Sequence, residues 1–170
     1  VSSSPSLLPS FTFNDHTLPI SAVHGACHDN TIRSWNLDNG ELVQSLKFNQ
    51  RVLCLTWWCN ALKSKHYLII SMAHSPCAIQ VVTWVPLSRR LQQSKNNTNK
   101  QDSNHGKPAF ALHGHTGDIC SLLVLQNCKI NGAQQPTEDL LLSCGYDETI
   151  RLWNLRTKLE FKQFNGHSGC

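Results

Sequence analysis

One nine-residue pattern occurs twice in this chain, and it limits the fold more than any other feature. Residues 27–37 read CHDNTIRSWNL and residues 145–155 read GYDETIRLWNL. Both contain D-x-T-I-R-x-W-N-L, with seven identities in nine gap-free positions. Such self-similarity means that one supersecondary unit is used several times. Within the pattern a short polar turn precedes a β-branched and aromatic run, which is how a strand after a hairpin reads. Residues 78–85, AIQVVTWV, keep the β-branched run and the Trp and form a weaker third copy. A second repeated element is GHTG at 114–117, matched by GHSG at 166–169. The stretches DHT at 15–17 and NQR at 49–51 read as eroded versions of it.

The flanking residues supply the rest of each unit. Asp38, Asn39 and Gly40 predict a hairpin, because Asn-Gly tolerates the positive φ angles of a two-residue loop. Residues 41–48 then return as the next strand. Residues 51–58 and 118–125 are apolar runs expected to be strands buried on both faces, and 67–73 and 139–144 supply the strands before each turn. The result is four short antiparallel strands per unit, a to d. The Trp spacings are 49 residues from Trp35 to Trp84 and 69 from Trp84 to Trp153. Two insertions explain the longer interval: the polar tract 88–107, with too little apolar content to order itself, and residues 127–137. One follows a strand c and the other a strand a. In a meander both therefore leave from one face, while the Gly-His and Asp-x-Thr turns share the other.

These motifs resemble those of the WD-repeat family of β-propellers, with Asn36 and Asn154 where the family commonly has Asp. The resemblance covers nearly the whole chain. It implies an all-β fold, a partial β-propeller of about three four-stranded antiparallel blades in an incomplete ring. Blade one would occupy about 11–48 and be partial, with strand a shortened or lost. A degenerate blade two would occupy 49–113 with the loop 88–107, blade three 114–165, and a further blade would begin at 166–170. The resemblance also implies a buried structural tetrad of His115, Ser143, Asp147 and Trp153. Blade one would keep a partial set, His16, Asp29 and Trp35, with Gly25 in the serine position. Blade two has Ala78 six residues before Trp84, where the Asp belongs, and is expected to rely on packing.

Composition bounds the function. The net charge is +4, and all of it lies in 86–108, where Arg89, Arg90, Lys95, Lys100 and Lys107 face Asp102 alone. The remaining body is neutral, which argues against a broad nucleic-acid footprint. No apolar run is long enough to span a bilayer, and the first residues read as no secretory leader, although the chain does not begin with Met. Eight cysteines without a C-x-x-C pair read as reduced core thiols of a cytoplasmic or nuclear protein. His24, Cys27 and His28 form the one tight cluster of metal-ligand types, too sparse for a zinc site. No cofactor is expected.

Ser143, His115 and Asp147 contain the residue types of a hydrolytic triad. A nucleophile elbow needs G-x-S-x-G, and residues 142–145 read LSCG. Neither a phosphate loop nor a paired-carboxylate motif occurs. The chain therefore reads as a non-catalytic scaffold for other proteins or peptides. The resemblance implies docking on the face of the Asp-x-Thr and Gly-His turns, through His28, Asn30, His113, Thr116, Tyr146 and Glu148. Trp57 and Trp58 end an apolar strand, and at least one is expected in the core. Two alternatives remain open. Residues 153–156, WNLR, resemble the Trp-Asp-x-Arg signature of substrate receptors of cullin-RING ubiquitin ligases, with Arg156 as the adaptor contact. The basic loop 88–107 could bind RNA. A sector with open blade faces is also expected to meet the remaining blades of its propeller or to self-associate.

Overall fold

The computed structural model describes residues 22–26, 29–60, 63–73, 78–85, 106–129 and 137–168. Eleven strands occur among them. The first sheet holds β1 (Ala22–Ala26), β2 (Thr31–Asn36) and β3 (Leu42–Lys47). The second holds β4 (Val52–Asn60), β5 (Lys65–Met72), β6 (Ile79–Trp84) and β7 (Pro108–Leu112). The third holds β8 (Ile119–Cys128), β9 (Glu138–Gly145), β10 (Ile150–Asn154) and β11 (Leu159–Phe164). Every pairing is antiparallel and strand order follows chain order, so each sheet is a meander. We call the sheets blades one to three. The expected strand a of blade one lies outside the described residues.

Side-chain alternation stacks the blades side by side. In β5 and β6 one set of residues, Leu68, Ile70, Met72, Val82 and Trp84, packs with Ile32 of blade one. The other set, Tyr67, Ile69, Ile79 and Val81, packs with Ile119, Leu141, Trp153 and Leu155 of blade three. A one-residue slip of β5 would exchange its two faces, so the apolar cores on both sides fix its register. The inner strand β4 runs beside β8. Their relative direction is tied at both ends. Gln126 Nε2 donates to the Cys59 carbonyl at 2.8 Å at one end, and Ser71 Oγ donates to the Ile119 carbonyl at 3.0 Å at the other.

The three tryptophans occupy one register. Trp35 pairs with Val23, Trp84 with His66 and Trp153 with Leu141, each between the second and third strands of its blade. Trp84 packs toward blade one and Trp153 toward blade two, so the rings point the same way round.

Four expectations are corrected. The Asp38–Gly40 hairpin has no two-residue loop; residues 37–40 form the turn, closed by Asn36 N–H to the Glu41 carbonyl at 2.9 Å. Only Gly40 takes a positive φ there (70°), and the Asn39 side chain instead caps the Glu41 amide. The run 118–125 is not buried on both faces, because no described sheet covers the side of β8 that carries Leu123. Cys120 is not a core thiol; it is exposed at the irregularity between Ile119 and Ser121. Finally, β8 runs through Cys128, two residues into the expected insertion. At the other insertion, the Lys107 carbonyl accepts from both Thr83 N and Thr83 Oγ1 at 3.0 Å, so that end of the basic tract is held in the sheet. Arg89, Arg90, Lys95 and Lys100 lie outside the described residues.

Candidate functional site

The chemistry-bearing residues of the D-x-T-I-R-x-W repeat converge at one end of blade three. His115 stands in the turn that enters β8, Ser143 near the end of β9, Asp147 in the β9–β10 turn and Trp153 on β10. The Trp153 indole N–H donates to Ser143 Oγ at 2.8 Å. Ser143 Oγ lies 2.7 Å from His115 Nε2, and His115 Nδ1 lies 2.9 Å from both Asp147 oxygens. Trp153 can only donate and a carboxylate can only accept. The proton order that satisfies each link therefore runs Trp to Ser, Ser to His Nε2, and His Nδ1–H to Asp. The chain of bonds ties the Gly-His turn to the hairpin below it.

Asp147 collects further donors. Its oxygens accept from the Thr116 amide at 2.9 Å, the Thr149 amide at 3.2 Å and the Thr149 hydroxyl at 2.8 Å. Burial would raise its pKa, but the bonds from Thr116, His115 and Thr149 outweigh that and hold the carboxyl at about 2. Arg151 extends the set through Thr149 Oγ1 at 3.3 Å and ion-pairs with Glu160 at 2.6 Å. Two glycines let the turns approach this closely. A Cβ on Gly117 would lie 2.7 Å from the Asp147 amide nitrogen, and one on Gly145 would lie 2.8 Å from His115 Nδ1.

The arrangement has the order of a Ser-His-Asp relay but not its access. Ser143 is fully buried, and its oxygen already serves both the indole and the imidazole. Among the described residues, no group of three or more His, Cys, Asp or Glu is placed to hold a metal ion. Burial pushes the Cys54 thiol up, so it stays protonated beside Ser71.

Blade one keeps part of the set. Asp29 accepts from the Thr31 amide at 3.1 Å and hydroxyl at 2.5 Å, and pairs with Arg33. Gly25 stands where blade three has Ser143, and a Cβ there would lie 3.2 Å from the Trp35 ring. His16 and His28 lie outside the described residues, as does Cys27. In blade two the serine position is filled by Leu68.

Around the network the turn face presents His113, Thr116, Tyr146 and Glu148, all exposed, with Tyr146 at 67%. Asn30 is half-buried on the matching turn of blade one. Arg156 belongs elsewhere: it lies in the β10–β11 turn, at the opposite end of the blade, and bonds Glu138 at 2.6 Å. The neighbouring Asn154 caps that turn by accepting from the Arg156 and Thr157 amides and donating to Glu138.

Two bonds carry no signal in the sequence. Trp58, in the core as one of the tryptophan pair, donates its indole N–H to Asp139 across the boundary between blades two and three at 2.9 Å. The same carboxylate accepts the Asn127 amide at 3.1 Å. Thr149 and Arg151, in contrast, were visible as invariant letters of the internal repeat, although their bonds were not.

Comparisons with known proteins agree with this geometry. The profile described as "WD domain, G-beta repeat" matches residues 106–154. The chain is similar to WD repeat-containing protein 18 of Mus musculus (24% identity over 163 residues) and of Bos taurus (26% over 162). Those matches take in 89% and 88% of this chain, but it spans only about a third (32%) of the length of either relative. Among solved structures, one of U3-55K superposes with a TM-score of 0.54 at 17% identity, over 88% of this chain and 37% of that one. A crystal structure of RRP9 WD40 repeats gives 0.53 at 17%, over 88% and 36%. At that identity the likeness concerns the fold.

Proposed function

We propose a non-catalytic scaffold of WD-repeat β-propeller type that docks a protein or peptide partner on its turn face, a reading supported by the match of residues 106–154 to the WD-repeat profile and by the three meander blades. The observation that carries the reading is the contrast within blade three. The groups with catalytic potential are sealed inside as turn supports, while Tyr146, Glu148, Thr116 and His113 stand outside on the turns they pin. Rigid backbone that presents an exposed aromatic suits recognition, since Tyr is enriched among residues that dominate binding energy.

Tyr146→Ala tests this. Affinity capture of the partner should fall at least about tenfold, as expected for loss of a dominant contact. The melting temperature should stay nearly unchanged, because the side chain has no core to leave. Unchanged capture would remove the turn face from consideration. A large drop in melting temperature would make Tyr146 a support of the fold instead. Arg156→Ala serves as the companion. Its bond to Glu138 supports a structural role for Arg156, and under the scaffold reading its removal leaves capture intact.

A further inference from the structure

The boundary between blades two and three is internal to the chain, and its two ends carry unlike charge. At the turn-face end, Asp118, Asp147 and Glu148 stand against Arg51 and Arg151. The opposite end holds the β4–β5, β6–β7, β8–β9 and β10–β11 connections. There Lys63, Lys65, Lys107, Lys129, Arg156 and Lys158 stand against Glu138 and Asp139. Both of those acids are already engaged. Glu138 accepts from Arg156 at 2.6 Å and from Asn154, and Asp139 accepts the Trp58 indole N–H at 2.9 Å and the Asn127 amide at 3.1 Å. Five lysines are left, all exposed, and among the described residues none of them makes an ion pair. The seam itself positions them. The bond from the Gln126 side chain to the Cys59 carbonyl at 2.8 Å sets the end of β4 beside the end of β8, with Lys63 and Lys65 on one side of the seam and Lys129 on the other. On the outer strands, Lys158 Nζ reaches from blade three to 5.0 Å from the centre of the Phe110 ring on β7, the strand that Lys107 precedes.

We propose that this end of blades two and three docks an acidic segment of a partner protein, on a second surface opposite the turn face. Like charges gathered on one surface repel, and apart from the Lys158–Phe110 contact these side chains return nothing to the fold. A segment rich in Asp and Glu, laid along the seam, would meet lysines from both blades and relieve that repulsion. The occupant is a protein segment because the surface lacks what single-stranded nucleic acid uses, an aromatic platform for its bases. Among the described residues at this end, Trp58 is in the core, Trp57 is half-buried against His66, and Phe110 is half-buried beneath Lys158. Arg156, whose guanidinium could grip a phosphate at two points, is held by Glu138. Neither Tyr146 nor its neighbours enter this inference, so a failure of the turn-face reading would leave it standing.

The test is titration of the 170-residue chain into fluorescein-labelled decaglutamate, followed by fluorescence anisotropy at physiological ionic strength. The peptide should bind saturably. Lys63→Glu combined with Lys129→Glu reverses one charge on each side of the seam and should weaken binding at least about tenfold, with an unchanged far-ultraviolet spectrum because both side chains are exposed. Lys65→Glu combined with Lys107→Glu is a second, independent reversal and should weaken it likewise. Lys47→Glu combined with Lys162→Glu changes the net charge equally on β3 and β11, away from this end, and should alter affinity less than about twofold. Tyr146→Ala should leave affinity unchanged, which separates the two surfaces. Absence of saturable binding to the wild-type chain overturns the proposal. An equal loss in the Lys47 and Lys162 variant also overturns it, because attraction would then follow net charge and not this surface. Tighter binding of decauridylate than of decaglutamate, lost in the Lys63 and Lys129 variant, overturns the acidic-protein assignment in favour of a nucleic acid.

Discussion

Blade two and blade three share strand order and Trp register, yet they secure that register differently. In blade three, Trp153 lies against Leu141 and Leu155 and also hands its N–H to Ser143, the first link to His115 and Asp147. In blade two, Leu68 occupies the serine position, and Trp84 packs with Leu68, Val82 and Ile32. Blade two therefore has apolar neighbours on both faces and two boundaries to hold it. Blade three has one covered face, and its polar chain fixes the turn on which exposed residues stand. The lesson is that the network is not what makes a blade. It is what pins the Gly-His turn to the hairpin beneath it.

The largest expected effect breaks the comparison from the packing side. Trp84→Ala should cost about 3–5 kcal/mol in urea unfolding, the range for emptying a buried aromatic site. Trp153→Phe, which keeps most of the ring volume but removes the N–H, should cost less than this. A Trp84→Ala loss below about 1 kcal/mol would mean that blade two does not depend on its apolar faces.

Next comes the polar side. Ser143→Ala leaves the buried Trp153 N–H and His115 Nε2 without their shared partner, which should cost about 2–3 kcal/mol. Hydrogen exchange should locate the loss: the Thr116 and Thr149 amides, both held by Asp147, should exchange faster, while β5 amides keep their protection. Uniform acceleration throughout the chain would show that the network supports the whole core and not one turn.

The pH dependence follows from the same carboxylate. Asp147 titrates near 3.8 when unfolded and at about 2 when folded, so the unfolded chain binds its proton first as the solution is acidified. Its contribution, roughly 2 kcal/mol, is fully present above about pH 4 and is lost as the pH falls from 4 toward 2. Asp147→Asn should flatten that part of the stability profile. An unchanged profile would place the acid sensitivity in other carboxylates.

Much of this was legible in the sequence because one short motif carries both a strand and its turn. The Trp positions and the meander follow from the repeated letters. Ala78, in place of an Asp, already marked blade two as different. What could not be read were contacts between units. Trp58 and Asp139 lie 81 residues apart, and neither belongs to the repeat, so no spacing could pair them. The exposure of Leu123 was hidden for a related reason. An apolar strand reads the same whether or not a neighbouring sheet covers it.

The smallest expected effect compares blades one and three at a single backbone position. The Asp-x-Thr turn needs a left-handed residue at x, and both copies supply one: Asn30 at φ 64° and Glu148 at φ 60°. Asn tolerates that region because its short side chain can bond locally, whereas Glu meets the Cβ penalty without relief. Blade one therefore has the better residue for the turn, although blade three has the better network. Glu148→Asn should raise stability by about 0.5 kcal/mol, with the Asp147 bonds and the Glu148 amide bond to Gly145 retained. The exposed Glu148 carboxylate would be lost in the exchange, so partner capture provides the second readout. Greater stability with weaker capture would show that the left-handed Glu is kept for recognition at the expense of the turn. Greater stability with equal capture would leave Tyr146 as the main contact of that hairpin.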